Sequence, residues 1–518
     1  MNPEDLSSRE RLRRAAPWIL AILGGTAQFL GFAGFDLYPL GFVCYVPLLV
    51  ALELEKDARP RRHAAIGFLH GFVAYAGGYY WFVDFLDTWS GFPWIVCALL
   101  GSIFFAYQAV QITLLAVMMG RMRAKGFSAT AALVPTLVAI ETAFPMIFPT
   151  YLGNGLHMRP ELIQVADLAG PVLVTAMMAA VNGAIADAVL ARRSGLPFPW
   201  RPAALAAAGF AATLGYGLYR MHEVDARARR APTVHMALVQ VNMGTFEKDE
   251  DPVEGFRRHL EQSRRIERDI RPDLLVWPES AFTFFVPNVP NLKNYVLGEL
   301  STPTIFGTLA RRRRNGEIHD YNTALLVDGD GTVLGSYDKV VLIPFGEYLP
   351  LGDLFPAIYD LSPNTGMFTP GFHMHPLVFR GFRMSTLICY EDLLPDYVRR
   401  AVHDSNPHVL VNLTNDAWYG NTNEPWIHLA LAKFRAVEHH RALVRSTNSG
   451  VSAFVDPVGR VVAHTGVYTR EDLDARVPMM TGRTVFETVG EYPGWVVVLL
   501  VLYLQLFARR DRLRSAKA

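Results

Sequence analysis

A carboxylate, an ammonium group and a thiol each lie at the predicted end of a strand in the second half of the chain, at Glu279, Lys339 and Cys389. A thiolate can attack an acyl carbonyl and hold the acyl group as a thioester. A carboxylate can accept the thiol proton, and an ammonium group can stabilise the oxyanion that forms during the attack. These residues could together catalyse acyl transfer or hydrolysis, and such chemistry requires neither a metal ion nor another cofactor.

Cys389 has two possible roles. It ends an apolar run and precedes Tyr390 and Glu391. Free cysteines are often buried packing residues, whereas a cysteine beside a cleft becomes a nucleophile when its surroundings lower the thiol pKa from about 8.5. The other cysteines, Cys44 and Cys97, lie in apolar segments and are expected to pack. The spacing of the three is not typical of a disulfide scaffold or a zinc site.

Apolar runs that end in polar residues predict the strands that position these groups. The run 274–277 is stopped by Pro278, and proline ends a strand ladder. Glu279 is therefore predicted at the carboxyl end of a strand, where α/β folds gather their sites; the alternative is a surface glutamate after a turn. Lys339 lies between two apolar stretches, which favours an ammonium group facing a cleft over a solvated one.

The region 221–487 alternates β-prone and amphipathic stretches. Helices are predicted over 252–270, 395–402 and 424–443. Strands are predicted over 234–241, 274–276, 304–309, 322–327, 333–339, 444–448, 451–456 and 460–465. Two more are predicted, one directly before Cys389 and one that begins at 409. The strand at 460–465 is the last one predicted in the domain. The arginine run 311–314 is predicted to be a solvated hairpin tip, with anionic lipid head groups as an alternative partner. The alternation predicts an α/β or α+β sandwich.

The rest of the chain is unusually apolar. The 518 residues are 51% hydrophobic and 19% charged, against roughly 25% charged residues in ordinary soluble domains. Uncharged runs near the ~20 residues of a membrane-spanning helix occupy 15–35, 37–52, 63–83, 88–120, 126–140 (continuing past Glu141 to 158), 168–186, 202–219 and 492–508. We therefore predict seven membrane helices in 1–220, a water-facing domain over 221–487, and an eighth helix with a basic tail over 488–518.

The distribution of basic residues predicts the orientation. Lysines and arginines cluster at 9–14, 56–62, 121–125, 192–201 and 509–517, whereas the intervening short loops contain only Arg159. Because positive loops stay in the cytoplasm, both termini are predicted there and the large domain on the outer face. The net charge of +1 gives no reason to expect a nucleic-acid partner.

Several segments resemble the carbon–nitrogen hydrolase (nitrilase) superfamily, and with the surrounding helices they resemble the apolipoprotein N-acyltransferase family in particular. They are Val276-Trp277-Pro278-Glu279-Ser280, Tyr337-Asp338-Lys339, Pro344-Phe345-Gly346-Glu347-Tyr348-Leu349-Pro350, Ile388-Cys389-Tyr390-Glu391 and Asn412-Leu413-Thr414-Asn415-Asp416-Ala417-Trp418-Tyr419-Gly420. The resemblance implies an αββα sandwich inserted among eight transmembrane helices. It also implies catalytic roles for Glu279, Lys339 and Cys389 and supporting roles for Glu347, Tyr390 and Glu391.

The resemblance implies a two-step reaction in the bacterial cytoplasmic membrane. A phospholipid donates a fatty acyl chain to the cysteine, and the acyl group then passes to the free α-amino group of an N-terminal diacylglyceryl-cysteine on an apolipoprotein. The expected partners are these two lipids, and the protein is expected to be monomeric. Two alternatives remain at this stage: a membrane-anchored amidase or nitrilase using the same three residues, and a non-enzymatic lipid transporter or binding protein.

Overall fold

A computed structural model describes residues 8–244, 246–314, 316–344, 346–349, 352, 354–361 and 365–507. Phe345 and Pro350 of the motifs above, and the basic C-terminal tail, lie outside these residues. The chain divides into two compact units. One comprises Met1–Val83, Trp94–Arg220 and Val489–Ala518, and the other comprises Asp84–Pro93 and Met221–Thr488.

The described residues contain sixteen α-helices. They are α1 Ser8–Leu30, α2 Tyr45–Leu54, α3 Pro60–Gly78, α4 Trp81–Ser90, α5 Trp94–Ala124, α6 Ala129–Ala143, α7 Pro160–Ile163, α8 Ala166–Ala169, α9 Pro171–Arg193, α10 Trp200–Ala228, α11 Glu247–Glu250, α12 Pro252–Asp269, α13 Pro395–Ser405, α14 Glu424–His439, α15 Val485–Val489 and α16 Tyr492–Phe507. Each of the eight predicted apolar runs overlaps one of these helices. By length and composition alone, α5 and α9 could cross a membrane, while α6 and α16 are apolar but shorter.

The second unit is built on two six-stranded sheets. The strands are β1 Thr233–Gln240, β2 Leu274–Val276, β3 Thr304–Arg314, β4 Glu317–Val327, β5 Val333–Asp338, β6 Leu377–Phe379, β7 Phe382–Ile388, β8 Val409–Thr414, β9 Ala442–Thr447, β10 Ala453–Val455, β11 Val461–His464 and β12 Glu471–Pro478. Their orders are β12-β1-β2-β3-β4-β5 and β11-β10-β9-β8-β7-β6.

Three apolar clusters show how the sheets and helices are layered. The first contains Met236 of β1 and Val411 of β8 and fills the space between the sheets. The second joins the outer face of the first sheet to Ile266 of α12. The third joins the outer face of the second sheet to Val398 of α13 and Ala432 of α14. The predicted αββα sandwich is therefore confirmed.

Three local predictions were wrong. Arg311–Arg314 belong to β3 and pair with β4 rather than forming the hairpin tip, because Asp320 and Asp338 offset the charges of Arg311 and Arg312. Helix α14 ends at His439, followed by His440 with a left-handed φ of 48°, so the strand after it starts at 442. A further strand, β12, follows the last predicted strand at 460–465 and pairs antiparallel with β1.

The strand directions bring the carboxyl ends of both sheets to one edge. β2 is parallel to β3, and β4 is antiparallel to both β3 and β5, so β2 and β5 end on the same side. In the other sheet β7, β8 and β9 are parallel. The Ser446 hydroxyl at the end of β9 donates to the Val276 carbonyl at the end of β2. Residues following β2, β5 and β7 therefore meet.

Close packing at Gly307 fixes the turn that carries Glu279. The Gly307 N–H donates to the Pro278 carbonyl, and the Ala281 N–H donates to the Gly307 carbonyl. A Cβ atom on residue 307 would lie 2.6 Å from the Glu279 Cα and 2.8 Å from the Pro278 oxygen. Only glycine lets the strand and the turn approach this closely.

Replacing Gly307 with alanine is expected to destabilise the fold by about 1–3 kcal/mol, the usual cost of an extra methyl group in a packed interior. The measurement is the thermal unfolding midpoint of the purified protein in detergent. Gly255→Ala is the control, because a Cβ there would meet its nearest neighbours at 3.6 Å, an ordinary contact. Equal midpoints for wild type and Gly307→Ala would contradict the packing argument.

Candidate active site

A buried ammonium group lies at the centre of the site. Lys339 follows β5, is 1% exposed, and places its Nζ 2.8 Å from Glu347 Oε2 and 3.5 Å from Glu279 Oε1. The Asn322 amide donates to both carboxylates, at 2.7 Å to Glu279 and 3.0 Å to Glu347. Burial alone would lower the pKa of Lys339, but Glu347 and Glu279 raise it well above its ordinary value. The lysine therefore remains charged.

The candidate nucleophile sits on a strained turn. Cys389 directly follows β7, has a positive φ of 52° and begins the 3₁₀ turn Cys389–Leu393. Positive φ is uncommon for residues other than glycine, and such strain is found most often at functional sites. The side chain is partly buried, and the nearby Thr414 works against a rise in the thiol pKa.

The surroundings of Cys389 do not lower its thiol pKa. Burial and the neighbouring Glu279 carboxylate raise this pKa well above its ordinary value, and Lys339 offsets the increase only in part. The site encloses the sulfur and places a carboxylate beside it, so the lowered thiol pKa named in the sequence analysis as one condition for reactivity is not present. The other route named there, transfer of the thiol proton to a carboxylate, fits these surroundings. The resting residue is a thiol, and its reaction requires a base.

Glu279 has the properties of that base. Burial raises its carboxyl pKa, Lys339 counteracts this in part, and Glu347 raises it further. Two carboxylates share one ammonium group, so one of them has a raised proton affinity. A raised pKa makes Glu279 a better proton acceptor than an exposed glutamate. It can receive the thiol proton as the sulfur attacks.

Glu391 joins the lysine segment to the cysteine turn. Its Oε1 accepts from the Val340 and Val341 N–H groups at 2.7 and 3.0 Å. Its Oε2 accepts from the Ile388 N–H and the Tyr337 hydroxyl, both at 2.7 Å. A carboxylate with four donors is held firmly. Glu391 therefore fixes the distance between the segments that carry Lys339 and Cys389.

Tyr390 and Glu347 complete the predicted set. Burial and the nearby Tyr348 raise the pKa of Tyr390 to about 12, so its ring remains a neutral phenol. Glu347 also accepts from the Ile343 N–H at 2.9 Å, which ties its loop to the lysine. All six predicted site residues therefore lie at the edge where the two sheets end.

A fully buried charged ring lies beside this group, and sequence reasoning missed it. It consists of Asp392, Asp416, His428 and Arg445. Arg445 contacts Asp392 Oδ2 at 3.0 Å and Asp416 Oδ2 at 2.9 Å. His428 contacts the other oxygen of each carboxylate, at 2.9 and 3.0 Å. The sequence did contain a signal for this ring. Its four ionisable residues lie in or next to segments predicted as an apolar strand, a polar loop and a helix.

The charges of the ring balance. Arg445 and His428 lower the pKa of Asp416 to about 2, against the effect of burial. Burial and Arg445 oppose protonation of His428, but Asp392 and Asp416 outweigh them and raise its pKa to about 9. Two carboxylates therefore face two cations at neutral pH. A balanced pairing of this kind reduces the cost of burying charge.

Two members of the ring, together with the neighbouring Glu424, are close enough to one another to be considered as a metal site. Asp416, Glu424 and His428 offer ligand atoms within 4.8 Å of one another. Metal binding, however, requires a neutral imidazole with a free nitrogen. Both His428 nitrogens face carboxylate oxygens, and Arg445 binds the second oxygen of Asp416. The donor set therefore fits an ion-pair ring better than a metal ion.

Sequence reasoning also missed Asn322 and Thr414. Both were read as ordinary strand residues, although each is a polar side chain in a buried strand. The Phe246 ring packs edge-on against Trp418, with the ring centroids 6.0 Å apart. These contacts depend on strand register, which residue types alone do not define.

Comparisons with known proteins cover both parts of the chain. Residues 24–184 match the family model described as the apolipoprotein N-acyltransferase N-terminal domain, and residues 235–485 match the carbon-nitrogen hydrolase model. Proteins named apolipoprotein N-acyltransferase from Geobacter metallireducens and Rhodopseudomonas palustris are each 30% identical, covering 93% and 95% of both chains respectively. The crystal structure of Saccharomyces cerevisiae Nit3, of the nitrilase superfamily, aligns with 48% of this chain and 90% of its own, at 18% identity and a TM-score of 0.37.

Replacing His428 with glutamine is expected to change how stability depends on pH. The His428 pKa is about 9 in the fold and about 6.5 in an unfolded chain. Its stabilising contribution is therefore complete below about pH 6.5 and is lost as the pH rises through about 9. Wild type should unfold at a higher temperature than the variant at pH 7, and the difference should shrink towards pH 10. A constant difference over this range would mean that His428 is neutral in the fold.

Proposed function

The chain belongs to the apolipoprotein N-acyltransferase family, and from this premise we propose that Glu279, Lys339 and Cys389 carry out its reaction. The protein is an acyltransferase. It transfers a fatty acyl chain from a membrane phospholipid to the α-amino group of the N-terminal diacylglyceryl-cysteine of an apolipoprotein. The observation that carries the residue assignment is the meeting of a carboxylate, a buried ammonium group and a thiol at one edge of the sandwich.

The first step forms a thioester. Glu279 accepts the proton of the Cys389 thiol while the sulfur attacks the ester carbonyl of the phospholipid. The Lys339 ammonium and the Tyr390 backbone N–H stabilise the resulting oxyanion. Collapse of the intermediate breaks the ester C–O bond, and Glu279 returns its proton to the departing oxygen. The products are a lysophospholipid and an acylated Cys389.

The second step passes the acyl group to nitrogen. The free α-amino group attacks the thioester carbonyl, and Glu279 accepts a proton from it. The C–S bond then breaks, and the proton is returned to the sulfur. An amide forms and the thiol is regenerated. Glu347 and Glu391 support both steps, since one holds the ammonium group and the other holds its segment against the cysteine turn.

The membrane arrangement is part of the proposal. The relatives are bacterial, and the enzyme belongs to the inner membrane. We propose eight transmembrane helices, with seven in 1–220, a catalytic domain over 221–487 on the periplasmic face, and an eighth in 488–518. Both termini would be cytoplasmic, as the positions of the basic residues indicate. Both substrates are then anchored in the leaflet that the catalytic domain faces, and a monomer suffices.

Glu279→Gln is expected to slow thioester formation by about 10²–10⁴-fold, the usual contribution of general base catalysis. The measurement is the rate at which radiolabelled fatty acid from a phospholipid becomes attached to the purified enzyme in detergent. Glu299→Gln is the matched control, because that side chain is 87% exposed and lies outside the site. A Glu279→Gln rate equal to that of the control would contradict the base assignment.

The choice of acceptor distinguishes the acyltransferase from an amidase that uses the same residues. With phospholipid present, the enzyme should acylate a diacylglyceryl-cysteine peptide that has a free α-amino group. It should leave the N-acetylated peptide unchanged, because the attacking nitrogen is blocked. The measurement is mass spectrometry of the peptides. Hydrolysis of a small amide such as acetamide, without any N-acylated peptide, would favour the amidase.

A further inference from the structure

The backbone of the cysteine turn is held by a side chain from the neighbouring strand. The Asn412 amide, on β8, donates to the Cys389 carbonyl oxygen at 3.3 Å. Asn412 is fully buried, so its amide has no water with which to exchange this bond. The contact is made to the main chain of the nucleophile and leaves the thiol itself untouched.

A bond to the Cys389 carbonyl also sets the direction of the next N–H group. The carbonyl of Cys389 and the N–H of Tyr390 belong to one peptide unit, which is planar and trans. The two groups therefore point in opposite directions, and fixing one fixes the other. Asn412 pulls the carbonyl towards β8, and the Tyr390 N–H must point away from β8.

Arg445 in turn orients Asn412. Its Nη1 donates to Asn412 Oδ1 at 2.8 Å, so the amide must present its nitrogen to Cys389. The same Nη1 contacts Asp392, which lies on the 3₁₀ turn that Cys389 begins. The other nitrogen, Nη2, is held by Asp416. Arg445 thus holds both Asn412 and the cysteine turn from the buried side.

We propose that Arg445 and Asn412 are positioning residues for the oxyanion of the acyl-transfer reaction: they fix the peptide between Cys389 and Tyr390, so that its N–H points at the developing negative charge. The inference rests on the proposed function, since it concerns the same thioester chemistry. The charged ring of Asp392, Asp416, His428 and Arg445 is the rigid support for this peptide. A ring with paired charges on all four members resists rotation more than a single hydrogen bond would.

A comparison of two reactions at the same sulfur tests the proposal. Acylation by phospholipid forms an oxyanion, whereas alkylation of Cys389 by iodoacetamide displaces iodide at a saturated carbon and forms none. Arg445→Lys keeps the positive charge but loses the planar fork that reaches Asn412, Asp392 and Asp416 together. Asn412→Ala removes the bond to the Cys389 carbonyl and leaves Arg445 in place, which covers the case in which the arginine variant does not fold.

Each variant is expected to lower the single-turnover acylation rate by about 10–100-fold, the cost typical of a misplaced reacting group. The phospholipid concentration at half-saturation and the rate of alkylation at the same pH should stay at wild-type values. Arg441→Lys is the matched control. Arg441 is also a fully buried arginine and directly precedes β9, but it donates to the main-chain carbonyls of Pro407, His439 and Gly482. The folded Arg441→Lys variant should be acylated at the wild-type rate.

Three results would overturn the proposal. Wild-type acylation rates in both Arg445→Lys and Asn412→Ala would show that the peptide needs no support from these residues. Equal losses of acylation and alkylation would show that they place the thiol rather than the oxyanion donor. An equal loss in Arg441→Lys would indicate general destabilisation. Failure of the proposed function itself would look different, because the wild-type enzyme would then form no acylated Cys389.

Discussion

The site depends on one ammonium group held almost without solvent between two carboxylates. Burying a charge is costly unless it is paired and hydrogen-bonded, and Lys339 meets that condition through Glu279, Glu347 and the Asn322 amide that joins them. Each partner comes from a different segment, so the pairing is possible only when the carboxyl ends of the strands meet. The topology of the sandwich and the chemistry of the site are therefore one constraint. Loss of both carboxylates would leave the buried ammonium group unpaired.

The same burial decides how the nucleophile works. A Cys389 thiolate exposed to water would be reactive before any substrate bound. The thioester formed at such a site would be open to hydrolysis. In the proposed mechanism, burial and Glu279 keep Cys389 as a thiol until a substrate carbonyl arrives, and the raised pKa of Glu279 prepares it to take the proton. The acylated sulfur then sits beside buried side chains rather than bulk water. This favours transfer to an amine over hydrolysis.

Two kinds of support hold the cysteine turn. Glu391 ties it to the lysine segment within the gap between the sheets, and the ring built on Arg445 holds it from the side of β8 and α14. The positive φ of Cys389 requires such support, because strained backbone conformations persist only where surrounding contacts impose them.

Sequence reasoning predicted the proposed catalytic trio because each member lies at the predicted end of a strand, and strand ends are easily recognised. The motifs also predicted supporting roles for Glu347, Tyr390 and Glu391 through a family resemblance. Sequence reasoning could not identify Asn322, Thr414 or the charged ring, because the contacts of these residues depend on strand register and on which strands are neighbours. The arginines at 311–314 were misplaced for a related reason: a run of like charges normally predicts a loop, and only the folded structure shows that Asp320 and Asp338 neutralise two of them within a hairpin.

The central claim is that Cys389 carries the acyl group between donor and acceptor. Intact-mass spectrometry of the enzyme after incubation with phospholipid alone tests it most directly, followed by peptide mapping. The account predicts an added fatty acyl mass on the peptide that contains Cys389, absent in Cys389→Ala and discharged when a diacylglyceryl-cysteine peptide is added. An acyl adduct that persists in Cys389→Ala, or N-acylated peptide produced by that variant, would contradict it.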